Sequence, residues 1–190
     1  MKPIQRNEIL GLGEYEAIRP HFRARVIEEK KQRRVALGPR ATALFENRDT
    51  VLLQIQEMLR TERITRDAGI QHEIDTYNAF VPGARELSCT VMIEIDEKEE
   101  REKLLLEARG IEDAFTVTCG GETCAGKTTP DRLLPDRASA VIYLKFALGE
   151  RAVAALKKGE TAELAVEHAA YRARVVLPPA LVRALGEDLE

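Results

Sequence analysis

Hydrophobic positions change their period about half-way along the chain. Tyr15, Ile18, Phe22 and Val26 recur at helical spacing, which predicts a first helix after Gly13. Pro20 falls inside that pattern, so it either kinks the helix or marks its effective start. Gly38-Pro39 reads as a stop and a restart, glycine capping helix one and proline opening helix two. Helix two is expected to run to about Ile64. A third helix carries Ile70, Ile74, Tyr77 and Val81 on one face and ends before Pro82-Gly83. From Leu87 the texture is that of strands. Leu87 to Asp96, Phe115 to Cys119 and Ala140 to Leu148 are rich in β-branched and aromatic residues. Thr161 to His168 and Tyr171 to Leu177 alternate and are close enough to form a hairpin. Helices are expected over Glu97 to Arg109, Glu150 to Lys158 and Ala180 to Leu185.

This order predicts an α+β fold: an N-terminal helical hairpin and third helix, then a mixed, largely antiparallel sheet with short helices. Two regions follow, residues 1–86 helical and residues 87–190 α+β, with one continuous domain left open. Composition narrows the class. The chain has 190 residues, 44% hydrophobic and 32% charged, which suits a packed core and excludes disorder. No apolar run approaches the ~20 residues of a membrane helix. The opening MKPIQRNEIL lacks the apolar stretch of a signal peptide, so a cytoplasmic protein is expected.

The net charge of −3 is a cancellation. Residues 1–86 hold 15 Lys+Arg against 13 Asp+Glu, net +2, while residues 87–190 hold 14 against 19, net −5. Between Arg19 and Arg40 eight basic residues meet only Glu28 and Glu29, net +6. Arg19, Arg23, Lys30 and Arg34 fall along one side of helix one, and Glu46, Gln54 and Glu57 near one side of helix two. A helical hairpin would bring Arg34 level with Glu46, and Arg23 level with Gln54 and Glu57. Two readings stand: an interhelical ion-pair ladder, or a cationic groove for an anion or acidic partner. Tyr15 and Phe22 are too few aromatics for base stacking, which argues against nucleic acid. Arg48 projects into the apolar face of helix two, either as an internal bridge towards Glu73 or Glu62 or as a holder of a carboxylate or phosphate in a cleft. The candidate anion- or partner-binding residues are therefore Arg19, Arg23, Lys30, Arg34, Glu46, Arg48, Gln54 and Glu57.

Other chemistry is thin. Gly121 to Thr128 reads GETCAGKT, a match to the phosphate-binding loop G-x-x-x-x-G-K-[ST], with Lys127 and Thr128 in the phosphate and magnesium positions. Pro130 and Pro135 deny it the helix that must follow, so nucleotide binding is a minor alternative. Cys119 and Cys124 either face each other across a glycine turn or are reduced thiols beside Cys89. His21, His72 and His168 lie on three separate elements without metal-ligand spacing, so no metal or cofactor is assigned.

The segments FENRDTVLLQIQEMLRTERI (Phe45 to Ile64), DTYN (Asp75 to Asn78) and ELSCTVMIEI (Glu86 to Ile95) resemble a bacterial family known only as a domain of unknown function. The resemblance runs from about Pro3 to past Tyr171. Members of that family are encoded beside rubrerythrin-like proteins and iron–sulfur proteins similar to heterodisulfide reductase subunits. It therefore implies an accessory protein that binds such a redox partner, with a homodimer also open and with no catalytic residue to carry over. The alternative is an enzyme or anion-binding protein that uses the polar cleft around Arg48, Glu46 and Glu57.

Overall fold

The computed structural model describes residues 1–128 and 133–189. Its first long element is α1 (Leu12–Gln32), which passes through Pro20 and buries only Tyr15 and Val26. Where a second helix is expected, the chain turns into strands: β1 (Arg34–Ala36) and β2 (Ala41–Glu46) form an antiparallel hairpin. Gly38-Pro39 is therefore a hairpin turn, and the helical hairpin at this point is corrected. The Leu37 N–H donates to Ala41 O at 2.8 Å, and Gly38 takes a φ of +73°. A Cβ on Gly38 would sit 2.7 Å from the Tyr171 hydroxyl, so both backbone and space require glycine. In β2 the alternation is plain afterwards: Ala41, Ala43 and Phe45 enter one core, while Thr42, Leu44 and Glu46 face the other side.

The second helix, α2 (Arg48–Thr61), starts at a true cap rather than at Pro39. The Asn47 side chain accepts from the Thr50 N–H at 2.9 Å, and the Asn47 N–H donates to the Thr50 hydroxyl at 3.0 Å. Helix α3 (Asp67–Asn78) follows, then β3 (Glu86–Ile93), α4 (Lys98–Glu107), β4 (Phe115–Cys119) and β5 (Glu122–Lys127). The chain continues through β6 (Val141–Ala147), α5 (Glu150–Lys157), β7 (Ala162–His168), β8 (Tyr171–Val176) and α6 (Pro179–Asp188). The α+β class and the antiparallel sheet stand; the first 86 residues contribute two strands to it.

One eight-stranded sheet runs in the order β1-β2-β3-β6-β5-β4-β7-β8, with every pair antiparallel. Strand β5 bends it, pairing with β4 through Glu122 to Ala125 and with β6 only at Gly126 and Lys127. The sheet curls until its two edges nearly meet. The Tyr171 hydroxyl on β8 donates to Leu37 O at 2.5 Å and accepts from the Arg40 N–H at 3.3 Å, joining the two edges through one side chain. Inside the curl lie Phe45, Val91, Val117, Leu144, Phe146 and Leu164, closed over by Leu105, Leu156 and Leu185 from α4, α5 and α6. A second core lies outside it, where Val51, Ile55, Leu59, Ile70, Ile74 and Phe80 of the α2–α3 region pack with Ile4 and Ile9 of the N-terminal segment.

The GETCAGKT segment belongs to this sheet. Gly120 and Gly121 have φ of +58° and +71° and make the β4–β5 turn, and a Cβ on Gly126 would come within 2.9 Å of the Phe146 ring. Each glycine of the motif thus has a role in a strand or turn, and Lys127 ends a paired strand where a phosphate loop needs open amides ahead of a helix. Pro130, part of the expected break, lies outside the described residues.

Arg33 joins the two cores. It is 4% exposed, and its guanidinium donates to both Asp188 oxygens at 2.6 and 3.0 Å and to Glu29 at 3.2 Å. Burial opposes the charge on both partners. For Arg33 the bonds to Asp188 and Glu29 prevail and raise its pKa, whereas for Asp188 burial prevails and lifts the carboxyl above its usual range. The two-pronged geometry is that of an ionised pair. Arg33→Met leaves the mostly buried Asp188 without its cation and is expected to cost about 3–5 kcal/mol in chemical denaturation. Arg25→Ala, which removes a half-exposed pair with Asp49, is expected to cost under about 1 kcal/mol in the same measurement.

Candidate functional site

The eight sequence candidates fall in three places, two of which share Lys30 and Gln54. Arg19 and Arg23 reach Glu57 across the α1–α2 contact. The Arg19 Nε and Nη2 donate to the two Glu57 oxygens at 2.7 and 2.9 Å, Tyr15 Oη donates to Oε1 at 2.7 Å, and Arg23 stands 4.0 Å away. The hydrogen bonds from Arg19, helped by that from Tyr15, hold the Glu57 carboxyl down at about 2, while burial and the Glu57 charge push the Tyr15 phenol well above its usual range. This is a satisfied bridge between two helices.

Arg48 is on the other side of α2. It donates to Lys2 O at 3.1 Å and pairs with Glu8, whose carboxyl it lowers. The internal bridge therefore goes to the N-terminal segment and not to Glu62 or Glu73, and Arg48 does not share a cleft with Glu46 or Glu57.

Lys30, Arg34, Glu46 and Gln54 do share one, and Lys30 and Gln54 also border a second cleft of about 350 Å³ beside Arg23 and Glu57. The first, of about 270 Å³, lies between the outward face of β2, β3 and β6 and the helices α1, α2 and α3. Strand periodicity supplies its floor: Leu44 and Glu46 from β2, Thr90 and Met92 from β3, Val141 and Tyr143 from β6. Tyr77 and Phe80 come from the end of α3, Val51 and Gln54 from α2. Phe80 stacks on Tyr143 with ring centroids 4.2 Å apart, and Tyr77 meets Phe80 edge-on at 5.9 Å. Lys30 and Arg34 flank the opening from the end of α1 and the start of β1, where Arg33 fixes both.

Glu46 is oriented rather than ion-paired. Its Oε1 accepts from the Thr90 hydroxyl at 2.7 Å and its Oε2 accepts from the Thr50 hydroxyl, and both threonines are buried. Sequence reasoning found Glu46 and Lys30 but missed Tyr77, Phe80, Thr90 and Tyr143. The signal for Tyr143 was present: in VIYLKFA it alternates with Ile142 and Leu144, so it must leave the core face. Nothing local marks Thr90, whose pairing with Glu46 crosses 44 residues.

The cysteines offer no second site. Cys89, Cys119 and Cys124 are free and buried, and burial, more than the nearby carboxylates, raises the thiols of Cys89 and Cys119. Opposite Cys119 stands Glu122, and opposite Cys124 stands Val117, so the two sulfurs are not a facing pair. Among the described residues no group of three or more His, Cys, Asp or Glu side chains is placed to hold a metal ion. Nor, among them, is any helix long and apolar enough to cross a membrane.

Fold and site together define an α+β protein with a small, charged and aromatic-floored cleft on the outside of a curled antiparallel sheet. The chain belongs to the family described as Protein of unknown function (DUF3501), which matches residues 3–189. A crystal structure of a novel protein of unknown function from Burkholderia pseudomallei K96243 is similar over 100% of both chains, with 32% identity and a TM-score of 0.93. No match is found among curated proteins.

The Glu57 bridge gives a pH test. Its folded-state value of about 2 lies below the ordinary 4.5, so the stabilisation is complete above about pH 4.5 and is lost as pH falls through 2. Glu57→Gln is expected to lower the melting temperature at neutral pH, with the difference from the unaltered protein shrinking through that window. Thermal melts between neutral pH and about pH 2 check this.

Proposed function

We propose that this protein binds a small organic acid in the cleft between the outer face of β2, β3 and β6 and helices α1 to α3. One observation carries the reading. Lys30 lines the cleft, and among the described residues no carboxylate pairs with it, although its basic neighbours on α1 and β1 have partners. A partly buried lysine beside an apolar, aromatic floor suits the head of a ligand whose body is apolar. Arg34 supports it from the adjoining strand, where its contact with Glu94 is long, at 4.0 Å, and half-exposed. The volume, at the lower end for ligand pockets, suits a short metabolite better than a nucleotide.

The finer reading drawn from the family resemblance is a cytoplasmic accessory protein that works beside a rubrerythrin-like or iron–sulfur partner. It rests on that resemblance alone, and a ligand-carrying role is compatible with it. Purification of the tagged full chain from its native cells, followed by mass spectrometry and metal analysis, tests the partner directly.

For the ligand reading, two-dimensional NMR with short linear carboxylates is expected to shift amides around Lys30, Arg34, Leu44 and Met92. Lys30→Gln is expected to weaken that binding about tenfold or more, and Arg34→Gln by less, because Arg34 is more exposed. Shifts that are unchanged in Lys30→Gln would overturn the assignment of the cleft.

A further inference from the structure

Glu46 makes a ligand that is only an anion an incomplete fit for the cleft proposed above. Its carboxylate lines the same space as Lys30 and Arg34, so a ligand that is only an acid meets a like charge. A ligand that is only a cation meets Lys30. Among the described residues no cationic side chain stands within 4.0 Å of the Glu46 oxygens. Opposite charges therefore face one cleft without touching each other.

The hydrogen-bond inventory adds a direction. A carboxylate offers about four acceptor positions. The buried Thr50 and Thr90 hydroxyls take one on each oxygen, which fixes the group and leaves acceptor capacity for a further donor. Around it, Tyr77, Phe80 and Tyr143 give the cleft an aromatic lining.

We infer that the ligand is a zwitterion: a short amino acid whose ammonium sits against Glu46 and the aromatic floor while its carboxylate reaches Lys30 and Arg34. This deepens the organic-acid reading and rests on it. It predicts selectivity by charge pattern, since a site built to receive a donor discriminates against the analogue that lacks one.

The test uses the full chain and matched pairs of probes. The ω-amino acids 4-aminobutyrate, 5-aminopentanoate and 6-aminohexanoate are titrated by calorimetry or NMR against pentanoate, hexanoate and heptanoate, in which a methyl replaces the ammonium. At least one amino acid is expected to bind about tenfold tighter than its methyl counterpart. Glu46→Gln keeps an acceptor oxygen for one of the two threonines, removes the charge, and is expected to erase that ratio while leaving carboxylate binding in place. Methyl counterparts that bind as tightly as the amino acids, with Lys30→Gln still weakening them, would overturn the zwitterion and keep the organic-acid reading. No binding of either set at millimolar concentration would overturn both.

Discussion

The burial of the Arg33 guanidinium constrains the rest of the molecule. A cation that is 4% exposed needs partners on every side, and it finds them on Asp188, at the far end of the chain, and on Glu29, one turn back on α1. Glu29 in turn accepts from the Asn47 side-chain amide, and Asn47 is the cap of α2. One charged group thus fixes the end of α1, the start of β1, the start of α2 and the end of α6. A helix that buries only two of its own side chains has little other means of holding its direction. Lys30 and Arg34 flank Arg33 in sequence, so their placement at the cleft follows from its anchoring.

The second determinant is the curl of the sheet. Because β5 divides its pairing between β4 and β6, the eight strands close round an apolar interior, and one face of β2, β3 and β6 is left outside. That outer face must be covered, and α2 and α3 cover it with their own core. The cleft lies where this cover is incomplete: polar Glu46 and Thr90 interrupt the apolar surface, and the rings of Phe80 and Tyr143 close one side. Tyr171 seals the seam of the curl from the opposite edge. The site is thus a property of the layer between the two cores, and no single element contains it.

Most strands and helices after residue 86 were legible because they are long enough to show their own period; β5 was not, because its ETCAGK sequence reads as turn and loop. Phe115–Cys119 appears with the same ends in sequence and structure, and the VIYLKFA strand differs only at its margins. The hairpin of β1 and β2 was not legible. Arg34–Ala36 is three residues long, and Gly38-Pro39 satisfies the rules for a helix stop and for a turn equally well. What decides between them is the pairing of β2 with β3 from Ala41 to Glu46, a contact more than 40 residues away in sequence. The same holds for the site. Lys30, Arg34 and Glu46 stood out as charges, but Arg33 reads as one more basic residue until Asp188 is placed beside it. The match of GETCAGKT to a phosphate loop arose because turns and close packing use glycine for the same freedom that phosphate loops do.

The basic stretch from Arg19 to Arg40 shows how folding changes the meaning of a charge. As sequence it carries +6 and suggests an extended cationic surface. In the fold Arg19 and Arg23 turn to Glu57, Arg25 to Asp49, Lys31 to Glu28, Arg33 to Asp188, and Arg40 to Glu100. Exposed pairs of this kind add little stability, but each lowers the local potential that a polyanion would need. A broad patch for a nucleic-acid backbone is thereby dismantled. What persists is local: one lysine without a described partner and one long-range arginine contact, set against an oriented carboxylate over aromatic rings. Such an arrangement supports the proposed small-molecule reading, because a groove tracking a polymer would need its cations repeated and unpaired.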